Sequence, residues 1–132
     1  MFSRNHHKPQ NRIDTLIGAE TTVEGDINFS GGLRVDGRIH GNVSETGGKS
    51  GTLVLSEHGQ IEGAIKVSHA VINGVVVGPL RARTYVELQA KSRVTGDVSY
   101  KSLEIHLGAV IEGQLIYQNA PADVIPDSST QD

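Results

Sequence analysis

A five-residue pattern recurs six times along this chain and constrains its fold more than any other feature. Each copy reads aliphatic residue, any residue, glycine, any residue, aliphatic residue, and the six glycines are Gly25, Gly41, Gly63, Gly78, Gly96 and Gly113. The intervals between successive glycines are similar but unequal, and the longest separates Gly41 from Gly63. Units this short cannot each enclose a core, so we expect them to stack around one shared interior.

A second marker follows almost the same period. Short strand-like segments precede most copies of the pattern, at residues 33–35, 53–55, 70–72, 86–88 and 103–105. Apolar and polar residues alternate in both markers, which indicates strands with one buried face. The chain has 14 Val and 11 Ile, residue types that favour strands, and no window of ten residues has a helical period. The sequence therefore predicts an all-β fold.

The stacked units predict a single-stranded β-helix, or β-solenoid, of about six coils with about three short faces each. Left-handed hexapeptide solenoids keep a strict multiple of six residues in every coil, and here only the interval from Gly78 to Gly96 does so. The irregular coil lengths favour the right-handed form. The long interval from Gly41 to Gly63 contains a Gly-rich segment at 45–51, which we interpret as a loop at one corner.

The two ends of the chain differ from the repeats in composition. Residues 1–13 are polar and basic, and residues 120–132 contain two Pro and three Asp. These compositions predict a disordered basic N-terminal tail and a disordered acidic C-terminal tail around a solenoid domain at 14–119.

Composition excludes several classes of protein. The chain has no cysteine, so disulfides, zinc–thiolate sites and a cysteine nucleophile are excluded. A formal net charge of −3 argues against general affinity for nucleic acid. No apolar run approaches the length of a membrane-spanning helix, and the N-terminal residues lack the apolar region of a secretory signal.

The repeats resemble a known family. Residues 17–27 and 33–43 resemble the opening coils of bactofilins, which are bacterial cytoskeletal proteins, and residues 94–98 and 111–115 are similar to the closing coils of that family. The resemblance implies a right-handed β-helix of triangular section that polymerises end to end without nucleotide or other cofactor. It also implies a cytoplasmic scaffold on the inner face of the cytoplasmic membrane that recruits cell-wall or cell-polarity proteins.

The same resemblance assigns a role to the N-terminal tail. In many bactofilins a short N-terminal stretch with an aromatic residue and scattered basic residues binds membrane. The matching residues here are Met1, Phe2, Arg4, Lys8 and Arg12. Each basic residue contributes roughly 1 kcal/mol near an anionic surface, so a single tail is expected to bind only weakly. A filament presents many tails at once, and their combined binding is expected to hold it on the membrane.

The ends of a solenoid predict a polymer interface. An uncapped end leaves strand edges with unpaired backbone groups, which favours stacking of one molecule on another. The apolar residues at the two ends are Ile13, Leu16, Ile17, Leu115, Ile116 and Tyr117.

Two groups of charged residues are expected on the surface of the solenoid. Arg81, Arg83, Lys91 and Arg93 form either a patch for an acidic partner or an ordinary solvated surface. Glu24, His40 and Glu62 share one register in successive coils, which predicts a surface ladder.

Two further functions stay open on the residues alone. One is a monomeric solenoid adaptor. The other is a left-handed hexapeptide acyltransferase with a histidine as general base. The irregular period argues against the acyltransferase, and no phosphate-binding loop or hydrolase motif is present. We therefore expect no enzymatic activity, metal site or cofactor.

Overall fold

The structure, a computed structural model, describes residues 12–46 and 50–118. All regular secondary structure in these two segments is β-strand. Its sixteen strands are β1 Thr15–Ile17, β2 Thr22–Glu24, β3 Ile27–Phe29, β4 Gly32–Val35, β5 Arg38–His40, β6 Val43–Glu45, β7 Thr52–Leu55, β8 Gln60–Glu62, β9 Ile65–Ile72, β10 Val75–Val77, β11 Leu80–Leu88, β12 Arg93–Thr95, β13 Val98–Tyr100, β14 Ser102–Ile105, β15 Val110–Glu112 and β16 Leu115–Tyr117.

The strands wind into six coils, each with three faces. The first coil consists of β1, β2 and β3, and every later coil repeats this order one layer further along the axis. All pairings join a strand to its equivalent in the next coil, and all are parallel. The second face is a six-stranded sheet of β2, β5, β8, β10, β12 and β15.

The first and third faces belong to one ten-stranded sheet because two long strands turn a corner. The N-terminal halves of β9 and β11 lie on the third face, and their C-terminal halves lie on the first. The register of β11 against β9 shifts between Ala82 and Tyr85, which is the irregularity that accommodates the corner.

The interior is built from columns of aliphatic side chains, one residue from each coil. On the second face the inward column contains Ile39, Ile61, Val76 and Val94, which are all fully buried. The neighbouring strand positions face outward, since successive side chains of a strand point to opposite sides of the sheet. Register therefore decides which residues share the core and which share the surface.

The repeated glycines are required by the close approach of successive coils. A Cβ built on Gly63 would lie 2.1 Å from the carbonyl oxygen of Gly41, and one on Gly41 would lie 2.1 Å from that of Gly25. Both glycines also have positive φ, 155° for Gly63 and 158° for Gly41. Since the overlapping atom is backbone, no side-chain adjustment can make room for a larger residue.

The structure confirms the predicted all-β solenoid of about six coils. The right-handed form stays a prediction, and so do the domain boundaries, because residues 1–11 and 119–132 lie outside the described residues. The interpretation of 45–51 as a loop was wrong at its first residue, since Glu45 ends β6. Within the described residues no helix is long and apolar enough to cross a membrane.

Candidate functional site

Both ends of the solenoid expose unpaired strand edges. Among the described residues, β1, β2 and β3 pair only with strands of the second coil. At the other end, β14, β15 and β16 pair only with strands of the fifth coil. Every second backbone N–H and C=O along these six outer edges therefore lacks a strand partner. Such edges are templates for another parallel layer.

The apolar interior is exposed at the C-terminal end. Ile105 continues the inward column of Leu88, and Leu115 continues that of Val98. Leu88 and Val98 are fully buried, whereas Ile105 is 45% and Leu115 is 44% exposed. The exposure arises because no further coil covers the sixth within residues 12–46 and 50–118. A second molecule stacked on this end would bury both side chains.

The N-terminal end is better covered but has the same layout. Ile17 and Phe29 point inward and are buried, and Val23 and Ile27 are partly buried against the core. Asp14 accepts a hydrogen bond of 2.8 Å from the backbone N–H of Gly32, which ties the start of the first coil to the second. That bond, together with the nearby Arg12, lowers the pKa of the Asp14 carboxyl.

The structure divides five of the six residues predicted at the polymer interface into two groups. Ile17, Leu115 and Tyr117 lie in inward columns at the ends. Leu16 and Ile116 lie in outward columns, since Leu16 pairs with the exposed Arg34 and Ile116 continues the column of Arg81.

Ile13 precedes β1 and is exposed. Tyr117 also packs on Tyr100, with ring centroids 5.9 Å apart.

Sequence reasoning missed several residues of the end surfaces. Leu103, Ile105 and Ile111 are the last members of inward columns, and Leu107 is an almost fully exposed apolar residue in the turn after β14. The alternation within 103–105 and 111–115 was visible in the sequence, and assigning these segments to the last coil would have placed them at the end.

The four basic residues of the predicted partner patch do not form one surface. Arg81 lies on the third face and Arg93 on the second. Lys91 lies in the turn before β12, with its Nζ 3.4 Å from Glu57. Arg83 lies at the corner inside β11, where its guanidinium contacts Glu45.

Glu45 is a buried carboxylate in an inward column, where other coils have apolar residues. It pairs in register with Phe29, and its side chain is almost completely buried. It accepts hydrogen bonds from the N–H and hydroxyl of Ser68, at 2.7 and 2.6 Å, and from the N–H of Gly51 at 3.0 Å. With the Arg83 guanidinium as counter-ion, these donors offset the cost of burying the charge. Glu45 thus fixes both ends of the inserted segment to the solenoid wall.

The remaining predicted site residues have mixed outcomes. Met1, Phe2, Arg4 and Lys8 lie outside the described residues, and Arg12 donates a hydrogen bond of 3.0 Å to Asp14. The predicted ladder is confirmed: Glu24, His40 and Glu62 share one register, and the Nδ1 of His40 lies 2.9 Å from Glu24.

A group that could hold a metal ion occurs elsewhere on the described surface. Its members are Glu87, Glu104 and His106, whose ligand atoms all lie within 4.8 Å of one another.

Comparison with known proteins identifies relatives of the whole solenoid. The family model "Bactofilin: Polymer-forming cytoskeletal" matches residues 15–116. Bactofilin BacP of Myxococcus xanthus is 29% identical over 102 residues, which is 77% of this chain and 41% of BacP. Bactofilin BacO of the same organism is 28% identical over 102 residues, covering 77% of this chain and 78% of BacO.

One solved structure gives the same result. The solid-state NMR structure of the cytoskeletal bactofilin BacA matches with a TM-score of 0.68 and 30% identity, over 80% of this chain and 96% of that one. The chain thus spans less than half the length of BacP but almost all of the BacA structure.

Proposed function

Because this chain belongs to the bactofilin family of polymer-forming cytoskeletal proteins, we propose that its copies stack end to end into filaments through the two open ends of the solenoid. The observation that carries this proposal is the pair of end layers, whose strand edges are unpaired among the described residues, together with the apolar interior that is uncovered at the C-terminal end. Edge hydrogen bonds give the contact its direction, and burial of the end side chains supplies its stability.

Assembly through these ends needs no nucleotide, because the groups that make the contact are backbone edges and apolar side chains. We expect negative-stain electron microscopy of the full chain, without nucleotide, to reveal filaments a few nanometres wide, on the order of the solenoid's own cross-section. Sedimentation at the mass of a single chain at the same concentration would contradict the proposal. That result would favour the monomeric adaptor instead.

The filament is further proposed to act as a scaffold rather than an enzyme. The support for this is the family description, which is that of a polymer-forming cytoskeletal protein. Its place in the cell is proposed to be the inner face of the cytoplasmic membrane, where it would hold cell-wall or cell-polarity proteins. The support for this location is the N-terminal stretch of Phe2, Arg4 and Lys8 in a member of a cytoskeletal family.

Membrane binding is expected to depend on that stretch and on assembly. Alanine at Phe2, Arg4 and Lys8 together removes the aromatic residue and two charges, so about 2 kcal/mol per tail of electrostatic attraction is lost. We expect cosedimentation with anionic liposomes to fall at least fivefold while filaments persist.

Alanine at Arg38, Arg81 and Arg93, which removes charge from the solenoid wall, is the matched control and should bind liposomes as the unmodified chain does. Equal binding by the unmodified chain, the tail variant and the wall variant would refute the role of the tail.

A further inference from the structure

The outward column of the first face becomes acidic at the C-terminal end. Its members in the second to fourth coils are Arg34, Val54 and Val71, and its members in the fifth and sixth coils are Glu87 and Glu104. Glu87 and Glu104 are directly paired in register. Like charges at directly opposed positions of a sheet destabilise the pairing, so this site has a local excess of negative charge.

His106 completes a compact set of ligand atoms. It follows β14, and its backbone N–H is fixed by a hydrogen bond of 2.9 Å to the carbonyl of Leu88 in the fifth coil. Its Nε2 lies 3.1 Å from the Oε2 of Glu104 and 3.3 Å from the Oε2 of Glu87. The imidazole thus lies between two carboxylates that come from successive coils.

The spacing of these atoms matches that of a metal polyhedron. Zinc–ligand bonds of about 2.0–2.2 Å in a tetrahedral site place neighbouring ligand atoms about 3.3–3.6 Å apart. Of the three separations between these ligand atoms, those from the imidazole to the two carboxylates are 3.1 and 3.3 Å, and the third is within 4.8 Å, so side-chain movements are needed to bring all three into that range. His106 and Glu104 are partly exposed, which leaves the fourth position open to water.

Neighbouring side chains hold the carboxylates in place. The amide of Gln89 donates a hydrogen bond of 2.9 Å to the Oε2 of Glu87. The hydroxyl of Tyr85 lies 2.9 Å from the Oε1 of Glu87 and 3.0 Å from the Oε1 of Glu104, but it has a single proton to donate. The cluster therefore contains more acceptor oxygens than protons, which a cation would correct.

We propose that Glu87, Glu104 and His106 form a site for a divalent transition-metal cation of the zinc type. Two carboxylates and one imidazole suit such a cation, whereas Mg²⁺ prefers oxygen ligands alone. A cation bound here bridges the fifth and sixth coils on the side wall of the solenoid. It stabilises the terminal coil from the side wall, and its binding does not require the proposed filament function.

The test is isothermal titration calorimetry of the full chain with ZnCl₂, with His6 and His7 replaced by alanine to remove the imidazoles of the N-terminal tail. We expect one Zn²⁺ per chain, and no binding of MgCl₂ at the same concentrations. The variants Glu104→Gln and His106→Ala should each weaken zinc binding at least tenfold. His40→Ala, which removes the imidazole of the Glu24–His40 pair, is the matched control and should bind as before.

Thermal unfolding provides a second readout. Saturating ZnCl₂ should raise the Tm of the protein in which Glu87, Glu104 and His106 are unchanged, and it should leave the Tm of the Glu104→Gln variant unchanged. Circular dichroism without metal verifies that this variant is folded. Zinc binding of unchanged strength in the Glu104→Gln and His106→Ala variants would overturn the proposal. The absence of any binding up to 1 mM ZnCl₂, on the order of the weakest specific affinities, would also overturn it.

Discussion

Replacing Ile105 by aspartate is expected to abolish filament formation while the solenoid stays folded. Ile105 is the last member of an inward column, and at 45% exposure it lies on the surface that a second molecule would cover. Stacking would bury the new carboxylate without a partner, at a cost of about 3–5 kcal/mol. The critical concentration for assembly should therefore rise about 10²- to 4 × 10³-fold, since each 1.4 kcal/mol is tenfold. Pelleting across a concentration series measures this change.

Ile116→Asp is the matched control for this substitution. Ile116 is exposed to nearly the same degree, 40%, and belongs to the same coil, but its side chain stands in the outward column of the third face. The same charge at this position stays in water when molecules stack end to end, so filaments should persist. Loss of filaments in both variants would indicate contacts between side walls, and persistence in both would refute the end contact. Circular dichroism of both variants verifies that the fold is kept.

Replacing Gly63 by alanine is expected to destabilise the solenoid severely. The new Cβ would lie 2.1 Å from the Gly41 carbonyl oxygen, at a φ of 155° that L-residues rarely adopt. Relief of this overlap requires two coils to separate, with loss of hydrogen bonds on both sides of the corner. The expected loss in the free energy of unfolding is about 3–5 kcal/mol, a large part of a domain's stability. Urea unfolding followed by circular dichroism measures it.

Gly25→Ala separates the overlap from the backbone strain. Gly25 occupies the same corner in the first coil and has a φ of 129°, but no atom of the described residues lies within 4 Å of its Cβ position. Only the conformational strain remains there, about 1–3 kcal/mol. Equal destabilisation by the two substitutions would indicate that strain, and not the approach of neighbouring coils, explains the repeated glycine.

The six glycines and the alternating aliphatic residues were sufficient to predict the architecture. Alternation is a local property of strands, and a corner glycine is a local property of the backbone, so both can be seen in one coil and counted along the chain. The prediction of six stacked coils, with Glu24, His40 and Glu62 in one register on the surface, followed from that count and is confirmed. The handedness of the solenoid remains a prediction from coil length.

The functional surfaces depended on information that one coil does not contain. The repeated glycines align the second face of successive coils, but the number of residues between the first face and the next glycine varies, so sequence spacing does not give the register of the first face. Only the paired strands distinguish Ile105, at the end of the core, from Ile116 on the wall. They also bring Glu87, Glu104 and His106 together on one face of the solenoid.

Sequence alone thus determined that this chain coils, how many coils it has and which residue types fill the core, because those properties repeat within each unit. The tertiary structure decided which side chains meet across coils and which are uncovered at the ends. Those contacts are set by the hydrogen-bonded register between layers, in which a shift of one residue exchanges the inside of a strand for its outside.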